Sequence, residues 1–96
     1  MDFIKAVEIA GKNKFLVGKK YKGGTIDDII IRPTNPENLK KFEIEYVSTL
    51  NAQVSILPYT HLDVEIAVIV DKYRIREGIL LSISLSDLKN EFDIFE

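Results

Sequence analysis

Alternation of apolar and polar positions is strongest over 62–70. Leu62, Val64, Ile66, Val68 and Val70 share one parity, while Asp63 and Glu65 share the other with Ala67 and Ile69. Alternate side chains of a strand point to opposite faces, so this run starts half-wet and ends buried on both sides. It predicts the central strand of an antiparallel sheet. The run is too short and too charged to span a bilayer, which takes about 20 apolar residues. The same pattern predicts a strand over 41–49, where Phe42, Ile44 and Tyr46 alternate with Glu43 and Glu45. Leu50-Asn51 then reads as a tight turn and 53–57 as the returning strand. Alternation resumes over 79–85, with Ile79, Leu81 and Ile83 against Leu80, Ser82 and Ser84.

Other stretches supply the remaining elements. Phe3, Ala6, Val7 and Ala10 recur at helical spacing, with Asp2 as the cap and Gly11 as the stop. The apolar run 15–17 reads as a first strand. Ile26 and the consecutive Ile29, Ile30 and Ile31 favour a strand over 25–32, because β-branched side chains suit a pleated surface; Asp27-Asp28 suggests a bulge within it. The prolines and asparagines of 32–38 predict a loop, and 58–61 a connection. Asp71-Lys72 and Gly78 read as turns, and Ser86-Asp87 as the start of a short C-terminal helix or turn holding Leu88, Phe92 and Phe95. The fold class is α+β. One N-terminal helix packs on a bent antiparallel sheet of five or six strands, or on a partly open barrel, with strand content exceeding helix.

A chain of 96 residues predicts a single domain over 1–96. Its 46% hydrophobic and 29% charged residues argue for a folded chain rather than disorder. A net charge of −2 gives no reason to expect DNA or RNA as partner. The absence of cysteine excludes disulfides, thiol nucleophiles and cysteine metal sites, and His61 as the one histidine speaks against zinc. No cofactor is expected. The start lacks a signal-peptide pattern, so the expected location is the cytoplasm, without membrane attachment.

The most suggestive chemistry lies in the run Gly18, Lys19, Lys20, Tyr21, Lys22, Gly23, Gly24. It resembles the outline of a phosphate loop, but the position before Thr25 is glycine where that motif requires lysine. A softer version remains: backbone amides near glycines approach an anion, lysines supply charge and Tyr21 a stacking face. The competing reading is a solvated hairpin turn. Arg74 and Arg76 fall on one face of an extended segment, suited either to phosphate or to guarding a sheet edge. Glu43 and Glu45 on one strand face could do acid–base work, or simply form a wet surface. Asp27-Asp28 makes a poor Mg²⁺ pair because neighbouring side chains diverge in a strand. No nucleophile, base and orienting group can be assembled around His61, so no catalytic residue, no metal ligand and no enzyme activity are expected.

Both ends of the chain match a further pattern. The opening has the form x-Phe-x-x-Ala-x-x-x-Ala, carried by Phe3, Ala6 and Ala10, and a lysine-rich turn follows at Lys19, Lys20 and Lys22. The close runs through Ser86, Asp87 and Leu88 to Glu91, Phe92, Asp93 and Ile94. These features resemble the second Thoeris anti-defence family of small phage proteins over about a third of the chain. That family carries tryptophan in both places. This chain has none, and Phe92 stands one residue early. The resemblance implies a non-enzymatic homo-oligomer acting in a bacterial host cell as a sponge for a cyclic ADP-ribose-like nucleotide signal. It adds weight to Lys19, Lys20, Tyr21, Lys22, Gly23, Gly24, Arg74 and Arg76 as a ligand site. The residues leave two alternatives open: a protein-binding inhibitor or immunity protein, and a small phage structural subunit.

Overall fold

The computed structural model describes residues 1–71 and 80–96. Its elements in chain order are α1 (Phe3–Lys12), β1 (Lys20–Tyr21), β2 (Gly24–Pro33), α2 (Pro36–Thr49), α3 (Ala52–Ile56), β3 (Val64–Val70) and β4 (Ser82–Ser84). Short 3₁₀ turns occupy Lys14–Leu16, Leu57–Tyr59 and Leu85–Leu88. The four strands form one open antiparallel sheet in the order β1-β2-β3-β4. The class is α+β, as the sequence predicts.

β3 is the inner strand that the alternation over 62–70 calls for. Val64, Ile66, Val68 and Val70 are buried on one face, and Ala67 and Ile69 on the other. Only Glu65 stays half-exposed, and it lies opposite Arg32 of β2. β2 carries the expected bulge: its register against β3 shifts between Ile26 and Asp28. α1 packs on β2 and β3, and α2 and α3 pack on β2. One hydrophobic cluster joins these layers, with Phe42, Leu16, Ile26 and Leu88 among its fully enclosed side chains.

Where the structure departs from the pattern, local chemistry explains it. The segment expected as a strand over 41–49 is the second half of α2, and 53–57 lies in α3 and the turn after it. Asn35 is the reason. Its side chain accepts from the N–H groups of Glu37 at 3.0 Å and Asn38 at 3.1 Å, with Pro36 just inside the helix. The asparagines and prolines read as loop are thus a helix start. Phe42 and Tyr46 are buried, Leu39 and Val47 partly so, while Ile44 is 60% exposed. That is a helical stripe, on which a few residues also satisfy a period of two. Leu50 ends α2 in the left-handed conformation, its N–H donating to Tyr46 O at 2.6 Å, and Asn51 caps α3 through Gln53 and Val54.

Three smaller corrections follow. Residues 15–17 form a 3₁₀ turn and its exit rather than a strand. α1 runs past Gly11 to Lys12 and ends at Asn13. Strand pairing in the last run covers Ser82–Ser84, after which Leu85 begins the expected short C-terminal turn. The count is therefore four strands among the described residues, not five or six, and helix exceeds strand there. No barrel closes. Asp2 does cap α1, accepting from Lys5 N–H at 2.8 Å. The expected turns at Asp71-Lys72 and Gly78, and the start of the run at Ile79, fall wholly or partly outside the described residues.

Candidate functional site

The basic run builds a tight hairpin. Tyr21 pairs with Gly24 and Lys20 with Thr25, leaving Lys22 and Gly23 as the two-residue loop. Their φ angles, 46° and 82°, are both positive, the signature of the primed turns whose twist matches a hairpin. Glycine suits the second of these positions. Gly24 serves a different purpose, because a Cβ there would lie 2.5 Å from Val70 Cγ1. It is a point of close approach between strands, not a mobile joint.

Lys19, Lys20 and Lys22 project into solvent. Lys20 Nζ donates to Thr25 Oγ1 at 3.0 Å, and Lys22 Nζ sits 5.4 Å from the centre of the Tyr21 ring. None of the three is ion-paired with a carboxylate among the described residues. Tyr21 itself is 3% exposed, with Phe92 at a ring separation of 6.5 Å. The stacking face expected of Tyr21 is therefore spent on the core. Gly18 N–H donates to Ile26 O at 2.7 Å and Lys19 N–H to Leu16 O at 3.0 Å, so these amides are committed within the fold. Arg74 and Arg76 lie outside the described residues, and the hairpin is described without them.

The other sequence candidates disperse. Positions 43 and 45 of α2 point to different sides of a helix, so Glu43 and Glu45 do not form a pair. His61 is exposed in the connection after the Leu57–Tyr59 turn. Asp28 accepts from Ile29 N–H at 2.8 Å. Burial raises the Tyr46 hydroxyl above its ordinary value of 10.0, with Asp28 and then Asp27 adding to the effect. The Asp63 carboxyl is held below its usual range by hydrogen bonds from the Met1 ammonium and Thr34.

Three features escape sequence reading. Arg32, read as the last residue of a strand and the first of a loop, belongs to β2, which runs on to Pro33, and its side chain reaches across the sheet. Its Nη1 donates to Ser82 Oγ at 2.8 Å and its Nη2 lies 3.5 Å from Glu65 Oε1. Asn13 is fully buried. Its Nδ2 donates to Ile9 O at 2.9 Å and to Phe95 O at 2.8 Å, and its Oδ1 accepts from Phe95 N–H at 2.9 Å. One side chain thereby pins the C-terminal segment to the end of α1. The third feature is a cleft of about 420 Å³ between α1 and that segment, floored by aliphatic side chains and edged by Lys5 and Lys89. Only the apolar tail residues hinted at it. Phe92 and Ile94 are partly buried against the chain's own core, while Phe95 is 54% exposed.

No helix among the described residues is long and apolar enough to cross a membrane. Compared with protein-family models, curated proteins and solved structures, the chain matches none.

Proposed function

We propose that this chain is a non-enzymatic binding protein whose basic hairpin captures a small anionic nucleotide. The observation that carries the reading is the set of exposed lysines 19, 20 and 22 on a tight turn, unpaired with carboxylates among the described residues. The hairpin and its two-residue turn bring these cations, none ion-paired with a carboxylate among the described residues, to one place, which suits a pyrophosphate. The hairpin offers charge and not a base platform, because Tyr21 faces inward. The resemblance of the chain ends supports the sharper form: a sponge for a cyclic ADP-ribose-like signal, self-associating and acting in the cytoplasm of a bacterial host.

Calorimetry with ADP-ribose and cyclic dinucleotides tests this. Binding should be micromolar or tighter for one of them, weaken as salt rises, and release unchanged ligand on denaturation. A Lys20→Ala/Lys22→Ala variant should stay folded and lose binding. Binding as tight as the parent's would reduce the hairpin to a wet turn.

A second reading, a protein-binding inhibitor, rests on a separate observation. Leu50 and Leu57 are each 65% exposed and Val54 is 42% exposed, at helical spacing along and beside α3. Absence of any nucleotide binding would leave this reading in place.

A further inference from the structure

We propose that the exposed apolar stripe along α3 packs against the same stripe of a second copy of this chain, giving a two-fold dimer. This names a surface for the self-association in the nucleotide reading, and it rests on none of the hairpin residues. Tyr46 to Leu62 is the longest stretch of the chain without Asp, Glu, Lys or Arg, although 29% of all residues are charged. It takes in the end of α2, all of α3 and most of the connection to β3. Charge is depleted at the centres of interfaces, not on surfaces that stay wet. Within the stretch Leu50 and Leu57 are each 65% exposed and Val54 is 42% exposed, while Ser55 and Ile56 face the core. Leu50 adds an independent sign. It sits in the left-handed conformation, with φ 54° and ψ 30°, where glycine or asparagine is the usual choice. A leucine there strains the backbone and shows its side chain to water, so the fold bears both costs for a group that its core does not use.

The chemistry of the stripe selects the occupant. In a two-fold contact each surface meets its own copy, so a charged side chain near the axis meets its like. Neutral amides and hydroxyls carry donor and acceptor together and can pair with themselves. Ser48 and Gln53, exposed within the stretch, are of this kind. A different protein is normally selected by opposite charge across the contact, and the stripe provides none. Charges frame it without entering it. Lys40, Glu43 and Glu45 precede it on α2, and Asp63, which follows it, is held by the Met1 ammonium and Thr34. α2 and β2 are packed on α3. Lys41 of α2 pairs with Glu37, Arg32 of β2 pairs with Glu65, and Asp27 and Asp28 act on the inward-turned Tyr46 hydroxyl.

Sedimentation equilibrium of the full chain should show a shift from monomer to dimer between about 1 and 500 µM, the weak end for protein contacts. Val54→Lys and Val54→Glu should each weaken the dimer about tenfold or more by setting like charges together, and an equal mixture of the two variants should recover it. Leu50→Gly should also weaken it while leaving the monomer at least as resistant to urea as the parent, because glycine takes the left-handed conformation freely. Ile4→Lys, at a position of α1 82% exposed and outside the stripe, should dimerise like the parent. So should Lys20→Ala/Lys22→Ala, whatever its effect on nucleotide binding, which separates the dimer from the hairpin reading. An apolar contact should persist as salt rises, whereas capture at the hairpin weakens. The proposal is overturned if the chain stays monomeric throughout that range, which returns the stripe to the inhibitor reading. It is also overturned if Val54→Lys dimerises like the parent, or if the mixture of the two Val54 variants stays monomeric.

Discussion

Replacing Asn13 by alanine should be among the costlier single changes in this chain, although the residue is neither apolar nor catalytic. Its carboxamide is fully buried and makes three hydrogen bonds, one to Ile9 O and two to the backbone of Phe95. A typical bond contributes about 0.5–1.5 kcal/mol net, and a buried group left without a partner costs about 1–3 kcal/mol. Phe95 is 54% exposed, so water can reach its freed backbone groups and the penalty there is partial. Ile9 O lies deeper. The sum is about 2–4 kcal/mol, or a fall in melting temperature of roughly 10–20 °C for a domain of this size. Urea denaturation gives the energy, and hydrogen exchange at the Phe95 amide locates it. Asn13→Asp separates the bonds from the shape. It keeps the acceptor for Phe95 N–H but sets a carboxylate against two carbonyl oxygens, so it should be at least as damaging as alanine. A cost below about half a kcal/mol for Asn13→Ala, the range of an ordinary surface change, would refute the reasoning.

Four further outcomes are expected. Gly24→Ala should destabilise by about 1–3 kcal/mol through overlap with Val70 Cγ1, and Val70→Ala in the same chain should recover part of the loss, as denaturation of the single and double variants will tell. Ile66→Ala, at a position 2% exposed, should cost about 2–5 kcal/mol in the same assay. Asn35→Ala removes the acceptor for Glu37 and Asn38 N–H, and should lower stability by about 0.5–2 kcal/mol with loss of helical circular dichroism. Tyr46 holds its proton more tightly folded than unfolded, so its contribution is full below the ordinary value of 10.0 and is lost as pH rises through the raised folded value. Melting between pH 8 and 11 should therefore fall more steeply in the parent than in Tyr46→Phe.

The elements legible in the sequence were those whose pattern has one physical explanation. Val64 to Val70 alternates and then turns wholly apolar, which suits only an inner strand, and Asp2 before Phe3 announces a helix. The segment from Leu39 to Val47 was ambiguous. Phe42 and Tyr46 satisfy both a period of two and a helical turn, and the tie is broken upstream, by Asn35 and Pro36, whose capping role outweighs their reputation as loop residues. For the hairpin, Gly23 and the lysines marked the turn. The inward face of Tyr21 depended on Phe92, far along the chain, and no local pattern contains it. The cleft and the Arg32 network were illegible for the same reason: their parts come from separate strands and both chain ends.

The bond between Asn13 and Phe95 also sets an order of events during synthesis. The two residues are 82 positions apart. At about 5–20 residues per second, the partner of Asn13 is made roughly 4–16 s after Asn13 itself. Through that interval the end of α1 waits with a carboxamide and an apolar face uncovered, while the hairpin and α2 can already form from local contacts. Nascent chains halted before residue 95 should thus offer a chaperone a site at Ile9, Asn13 and Leu16 that the finished molecule conceals.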